Sequence, residues 1–225
     1  MKPSFKIIVA LCGAAILLGS AAAEETTDHA ATVNKLRGQA KPGGKTRGFV
    51  PRGSQPAQIH TETRSVLTRG VPQNIQVSGG SKVQVTEVAA AEVGAGEQTY
   101  QISYKVDPES NVTRTSILFV KNSTQFANEN SRRELETLAK VFEDPALAEY
   151  SFVIEGHSSA EGETLHNQQL SQERAAVIVA ELVRLGVAQG KLLPVGFGES
   201  KARYQATDPE SVRSQDRRVE IFRLE

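Results

Sequence analysis

The stretch Ile154-Glu155-Gly156-His157-Ser158-Ser159-Ala160-Glu161-Gly162, with Asn167, Leu170-Ser171 and Arg174-Ala175 behind it, decides how this chain reads. Tyr150 to Glu155 predicts a strand, and the polar loop after it is bounded by Gly156 and Gly162. A helix is predicted from about Glu163 to Leu185, closed by Gly186. At 100° per residue, Asn167, Ser171 and Arg174 share one narrow face of its N-terminal half. Loop and helix start thus gather backbone N–H groups, the Ser158 and Ser159 hydroxyls and one guanidinium. That set suits a carboxylate, which would gain a bidentate partner and a favourable helix dipole. The competing reading has Arg174 paired with Glu155, Glu161 or Asp216, merely tying loop to helix.

Outward from this point the pattern is α+β. Thr115 to Val120 predicts a strand. Ser131 opens a helix through about Phe142, with Glu134 completing a capping box and Leu135, Leu138, Ala139 and Phe142 as its apolar stripe. Asp144-Pro145 ends it. Leu192 to Phe197 and Arg218 to Phe222 predict two further strands. The expected fold is a βαβαββ layered sheet with helices packed on it, preceded by a few short strands and a flexible linker. Arg217 and Arg218 should point to opposite faces, so at most one faces the loop, and the other should be a solvated edge charge that discourages aggregation.

Upstream, residues 71–110 read as β-rich. Ile75 and Val77, Val83 and Val85, then Tyr100, Ile102, Tyr104 and Val106 alternate with polar residues. Two or three such strands cannot form a core alone, so they should pack on the C-terminal α+β unit or pair with a partner's sheet edge. Residues 24–70 read as a flexible basic linker. No acidic residue occurs from His29 to Thr61, while Lys35, Arg37, Lys41, Lys45, Arg47 and Arg52 are interleaved with glycine and proline. Residues 1–23 have secretory-signal grammar: Lys2 and Lys6, an apolar run from Ile7 to Leu18, and Ala21-Ala22-Ala23 before Glu24. The run is shorter than the ~20 residues that span a bilayer.

These features exclude several function classes. Cys12 is the only cysteine and would leave with the signal, so neither disulfide nor thiol chemistry is expected. His29, His60, His157 and His166 share no ligand spacing, and no cofactor or metal is expected. His157 beside Ser158 and Ser159 makes a poor nucleophile–base pair, because neighbours on an extended segment point apart. A protein behind an export signal is not expected to meet nucleic acid. An outer-membrane barrel needs at least eight strands, for which the chain has no room.

Residues of about 114–225 resemble the OmpA C-terminal-like family, which associates with peptidoglycan. The resemblance rests on Ile117-Leu118-Phe119, Gly156-His157, Gly162, Asn167, Leu170-Ser171 with Arg174-Ala175, Gly196-Phe197-Gly198-Glu199 and Arg217-Arg218-Val219-Glu220-Ile221, in that order. It implies a non-catalytic periplasmic protein, exported in a Gram-negative-type bacterium, whose domain at 111–225 grips a diaminopimelate-type stem peptide and links the wall to the outer membrane or an envelope protein. The implied ligand-binding residues are Gly156, His157, Ser158, Ser159, Gly162, Asn167, Leu170, Arg174 and Arg217. In the family, the arginine that Arg174 matches holds the ligand's carboxylate, and a loop aspartate holds its ammonium. Here Ser159 stands at the aspartate's position, Ser158 replaces the usual threonine, and Asp216 replaces an asparagine. A charged partner contributes about 1.5–3 kcal/mol and a neutral one roughly 1, so the swap implies an affinity loss on the order of tenfold. Glu161 or Glu163 could offer a displaced carboxylate. Otherwise the fold serves as a scaffold that has lost diaminopimelate binding.

Overall fold

The structure, a computed structural model, describes residues 28–38, 61–69, 83–88 and 99–225. The signal reading of 1–23, most of the basic run and the strand expected around Ile75 and Val77 lie outside the described residues. Helix α1 covers residues 28–37. Then come strands β1 (Glu62–Arg69), β2 (Gln84–Val88) and β3 (Thr99–Arg114), helix α2 (Glu129–Phe142), strand β4 (Phe152–His157) and helix α3 (Thr164–Arg184). Strand β5 (Leu192–Gly198), the one-turn helix α4 (Glu210–Arg213) and strand β6 (Val219–Leu224) complete the chain. The strands form one sheet in the order β1-β3-β6-β4-β5, with β2 paired to β3 off that path. Among the described strands only β4 and β5 pair in parallel, joined by α3.

The βαβαββ order holds, but its first strand is β3 rather than Thr115–Val120. That expected strand is absent. Residues 115–118 run irregularly, and a single bridge joins Phe119 to Phe126. No neighbouring strand is available there: the Leu118 N–H is taken by the Ser131 hydroxyl, and Leu118 and Val120 are exposed. Helix α2 starts two residues before Ser131, because Asn128 is its cap and accepts the Ser131 N–H. Ser131 instead is buried, bracing the irregular segment.

The β-rich segment packs on the C-terminal unit. The first half of β3 pairs with β1 and β2, and from Val106 onward it pairs with β6 on both sides of an irregularity between Asp107 and Val112. Both sheet faces are thereby covered, and every residue of β4 and β6 is buried. On one face Phe152, Ile154, Val219 and Ile221 meet Leu135, Leu138, Phe142, Ile178 and Leu182 of the helices. On the other, Val153, Val195, Phe197 and Phe222 meet Val66, Ile102 and Tyr104 from β1 and β3. Residues 28–37 and 62–69, read from sequence as linker, are thus a helix and a strand. Val33 and Leu36 enter the helix-side core, and Arg114 donates to the Thr32 hydroxyl at 3.0 Å. A short run of charge and glycine hid two apolar anchors.

Among the described residues no helix is long and apolar enough to cross a membrane.

Candidate functional site

The sheet and α3 meet closely because two glycines let them. A Cβ on Gly156 would lie 2.7 Å from the Ser171 carbonyl oxygen, and one on Gly196 would lie 2.2 Å from the Gln172 nitrogen. Gly156, expected at the ligand, therefore serves the strand–helix contact. Gly162 supplies φ +91°, a conformation other residues adopt only with strain, and turns the chain into α3.

Asn167 and Ser171 do lie on the sheet-facing side of α3, and both are committed to holding loops. Asn167 donates to the Glu161 carbonyl at 2.8 Å and to the Glu199 carboxylate at 2.6 Å. Ser171 accepts the Gly198 N–H at 2.8 Å and donates to the Gln168 carbonyl. Glu199 also accepts from Thr164 at 2.6 Å, so it ties the start of α3 to the end of β5. Leu170 is half-buried.

Arg174 makes none of the ion pairs weighed from sequence. Its Nε donates to the Ser123 carbonyl at 3.0 Å and its Nη2 to the Val120 carbonyl at 3.2 Å, with the guanidinium 5.0 Å from the centre of the Phe119 ring. Burial, and after it the charge of Arg217, lower its proton affinity from the ordinary arginine value. Arginine nevertheless stays charged at any physiological pH. The result is a half-buried cation held by neutral carbonyls, with the loop at 120–123 as its brace.

Ser158 is buried, its N–H donating to the Gly198 carbonyl, and its hydroxyl has no hydrogen-bond partner. Ser159 is also buried, and its hydroxyl meets the Glu161 carboxylate at 3.3 Å. Glu161 itself is claimed by guanidiniums. Arg213 contacts it directly, Arg217 approaches to 3.9 Å, and both also pair with Glu210. The Arg213 hydrogen bond, first among several causes, holds the Glu161 carboxyl below the usual range. Sequence reading missed this clamp, although Glu210, Arg213 and Arg217 have the spacing of neighbours on a helical turn.

His157 is placed away from Asn167, Ser171 and Arg174. Its ring is buried on the opposite sheet face and stacks on Phe197 at 5.4 Å. Arg217 faces the loop as expected, but Arg218 is no solvated edge charge. It is buried, because β6 is an interior strand, and it donates to Glu220 at 2.6 Å and to the Asp216 carbonyl. Asp216, fully buried, accepts the N–H groups of Arg203 and Tyr204, both at 3.0 Å.

Residues 118–217 match the family model described as OmpA family. A curated relative, the photosystem I P700 chlorophyll a apoprotein A2 of Gloeobacter violaceus, is 35% identical over 98 residues. The match covers 37% of this chain and 11% of that protein's length. Among solved structures, the peptidoglycan-associated lipoprotein of Burkholderia pseudomallei is 21% identical, with a TM-score of 0.42, covering 48% of this chain and 87% of that one. A putative MotB-like protein of Desulfovibrio vulgaris is 22% identical, with a TM-score of 0.44, covering 52% and 78%.

Proposed function

Because residues 118–217 form an OmpA-family domain, we propose that this chain is a non-catalytic periplasmic envelope protein whose domain associates non-covalently with peptidoglycan. Arg174 holds a stem-peptide carboxylate in this reading. The observation that carries it is the half-buried guanidinium, which has neutral carbonyl partners and no carboxylate within ion-pair distance among the described residues. Part of that fork remains for a ligand anion.

The complementary cation-holding half is weakened. Ser159 brings no charge, and Glu161, the nearest substitute, already serves Arg213 and Arg217. Recognition is therefore dominated by the carboxylate, and the grip on a diamino acid's ammonium is poorer than in relatives with an aspartate. The N-terminal segment, through its basic run, contacts the outer membrane or an envelope partner.

Sedimentation with purified sacculi tests this. Wild type co-sediments, Arg174→Ala loses about tenfold or more in retention, and Ser159→Asp binds more tightly. If wild type and Arg174→Ala both stay in the supernatant while Ser159→Asp sediments, the second reading holds: a scaffold that has lost diaminopimelate binding. Ser159 in contact with a sequestered Glu161 is what favours that alternative.

A further inference from the structure

Beneath the domain's helix-bearing face lies a polar group that the wall-binding reading does not use. Glu155 and His157 of β4 and Glu220 of β6 project to the sheet face covered by β1 and β3, all three buried, with their potential ligand atoms within 4.8 Å of one another. His157 Nε2 lies 3.7 Å from Glu155 Oε2 and 3.7 Å from Glu220 Oε2. Neither ring nitrogen of His157 has a hydrogen-bond partner, although its side chain is 1% exposed. An imidazole buried without a partner for either nitrogen is costly unless something else occupies the space it faces.

The other oxygens are held by second partners. Tyr104 donates to Glu155 Oε1 at 2.7 Å and Arg218 to Glu220 Oε1 at 2.6 Å, which leaves each Oε2 turned toward the histidine. Outer donors that fix carboxylates in this way are what orient ligands around a metal ion. Arg64 also reaches Glu155 Oε2, at 2.5 Å, and a carboxylate oxygen has a second lone pair free for a cation. Charge agrees: Glu62, Glu155, Asp216 and Glu220 are four carboxylates in this network, against the three guanidiniums of Arg64, Arg203 and Arg218.

We propose that Glu155, His157 and Glu220 form a divalent-cation site of zinc type, with one imidazole nitrogen and two carboxylate oxygens as protein ligands. That donor set suits a borderline ion better than calcium or magnesium, which take oxygen ligands alone. The two 3.7 Å spacings from the histidine need only slight contraction around an ion about 2.0–2.2 Å from each ligand, and the carboxylates, within 4.8 Å of each other, close the rest of the gap on binding. Bound there, the ion bridges β4 and β6 under the β1–β3 cover.

Cobalt(II) absorption tests the site on the full chain after chelation, with zinc(II) and magnesium(II) in parallel thermal melts. The expected result is a visible cobalt band that zinc bleaches, with zinc, but not magnesium, raising Tm by several degrees. The band and the zinc shift should be lost in His157→Gln and in Glu220→Gln. Circular dichroism and the apo-protein melt identify any variant that has failed to fold, and the other then decides. No band in wild type, a band that survives in a folded His157→Gln, or stabilisation by lower pH without any response to metal would each overturn the proposal. Sacculus binding is read separately, so neither outcome bears on Arg174.

Discussion

Substitution of Gly196 by alanine probes the contact on which the candidate site stands. A Cβ there would lie 2.2 Å from Gln172 N, 2.5 Å from Gln172 Cα and 2.6 Å from Ser171 Oγ. Carbon packs at about 3.5–4.0 Å, so α3 must retreat by more than ~1 Å. Two of the obstructing atoms are backbone, and no side-chain rotation relieves them. Retreat also strains the bonds joining the two elements: Gly196 N–H to Gln172 at 2.7 Å, Gln168 to the Gly196 carbonyl at 2.6 Å and Gly198 N–H to Ser171 at 2.8 Å. Overpacking costs about 1–3 kcal/mol and each of the three weakened bonds about 1, giving a loss of roughly 4–6 kcal/mol. Urea unfolding of the full chain reads this as a lowered midpoint at unchanged slope. Gly162→Ala is the control, since its Cβ would meet nothing within 4 Å and only its positive φ is penalised, by about 1–2 kcal/mol. If Gly196→Ala lies within about 0.5 kcal/mol of wild type, or costs no more than Gly162→Ala, the close-approach argument is wrong.

Two further outcomes concern the buried acid network. Arg64→Met leaves the fully buried Glu155 carboxylate with Tyr104 as its remaining hydrogen-bond donor, and a loss of about 3–5 kcal/mol is expected in metal-free thermal or urea unfolding; a loss under about 1 kcal/mol would show that the pair is immaterial. For Glu220, burial raises the carboxyl pKa, but the Arg218 hydrogen bond and the charges of His157, Arg218 and Arg64 outweigh it, so the net shift is downward. A depressed folded pKa adds stability above the unfolded carboxylate pKa, and that stability disappears as pH falls through the folded value. Glu220→Gln should therefore flatten the acid limb of stability against pH, and an unchanged limb would remove Glu220 from the account.

The relation between sequence and site follows the range of the interactions involved. Asn167 and Ser171 could be placed on one side of α3 because 3.6-residue periodicity is a local property, whereas Arg174 turns to the carbonyls of Val120 and Ser123. The α2 boundary shifted because Asn128, rather than Ser131, caps the helix, a choice set by the buried site that the Ser131 hydroxyl occupies. Arg174's partners were illegible: Val120 and Ser123 lie 54 and 51 residues away, and a backbone carbonyl leaves no mark in the choice of residue. The clamp of Glu161 by Arg213 likewise depends on the loop after β4 meeting the one-turn helix α4.

Residue order alone was enough for helices α2 and α3, strands β4, β5 and β6, and the positive-φ turns at Gly162 and Gly186, all fixed by periodicity and backbone preference within a few residues. Packing between distant segments made β3 the first strand of the domain, laid β1 over the face holding His157, and paired Glu161 with Arg213. Those outcomes depend on which distant surfaces exclude water from one another, and the energy of a buried charge depends on every neighbour that replaces that water.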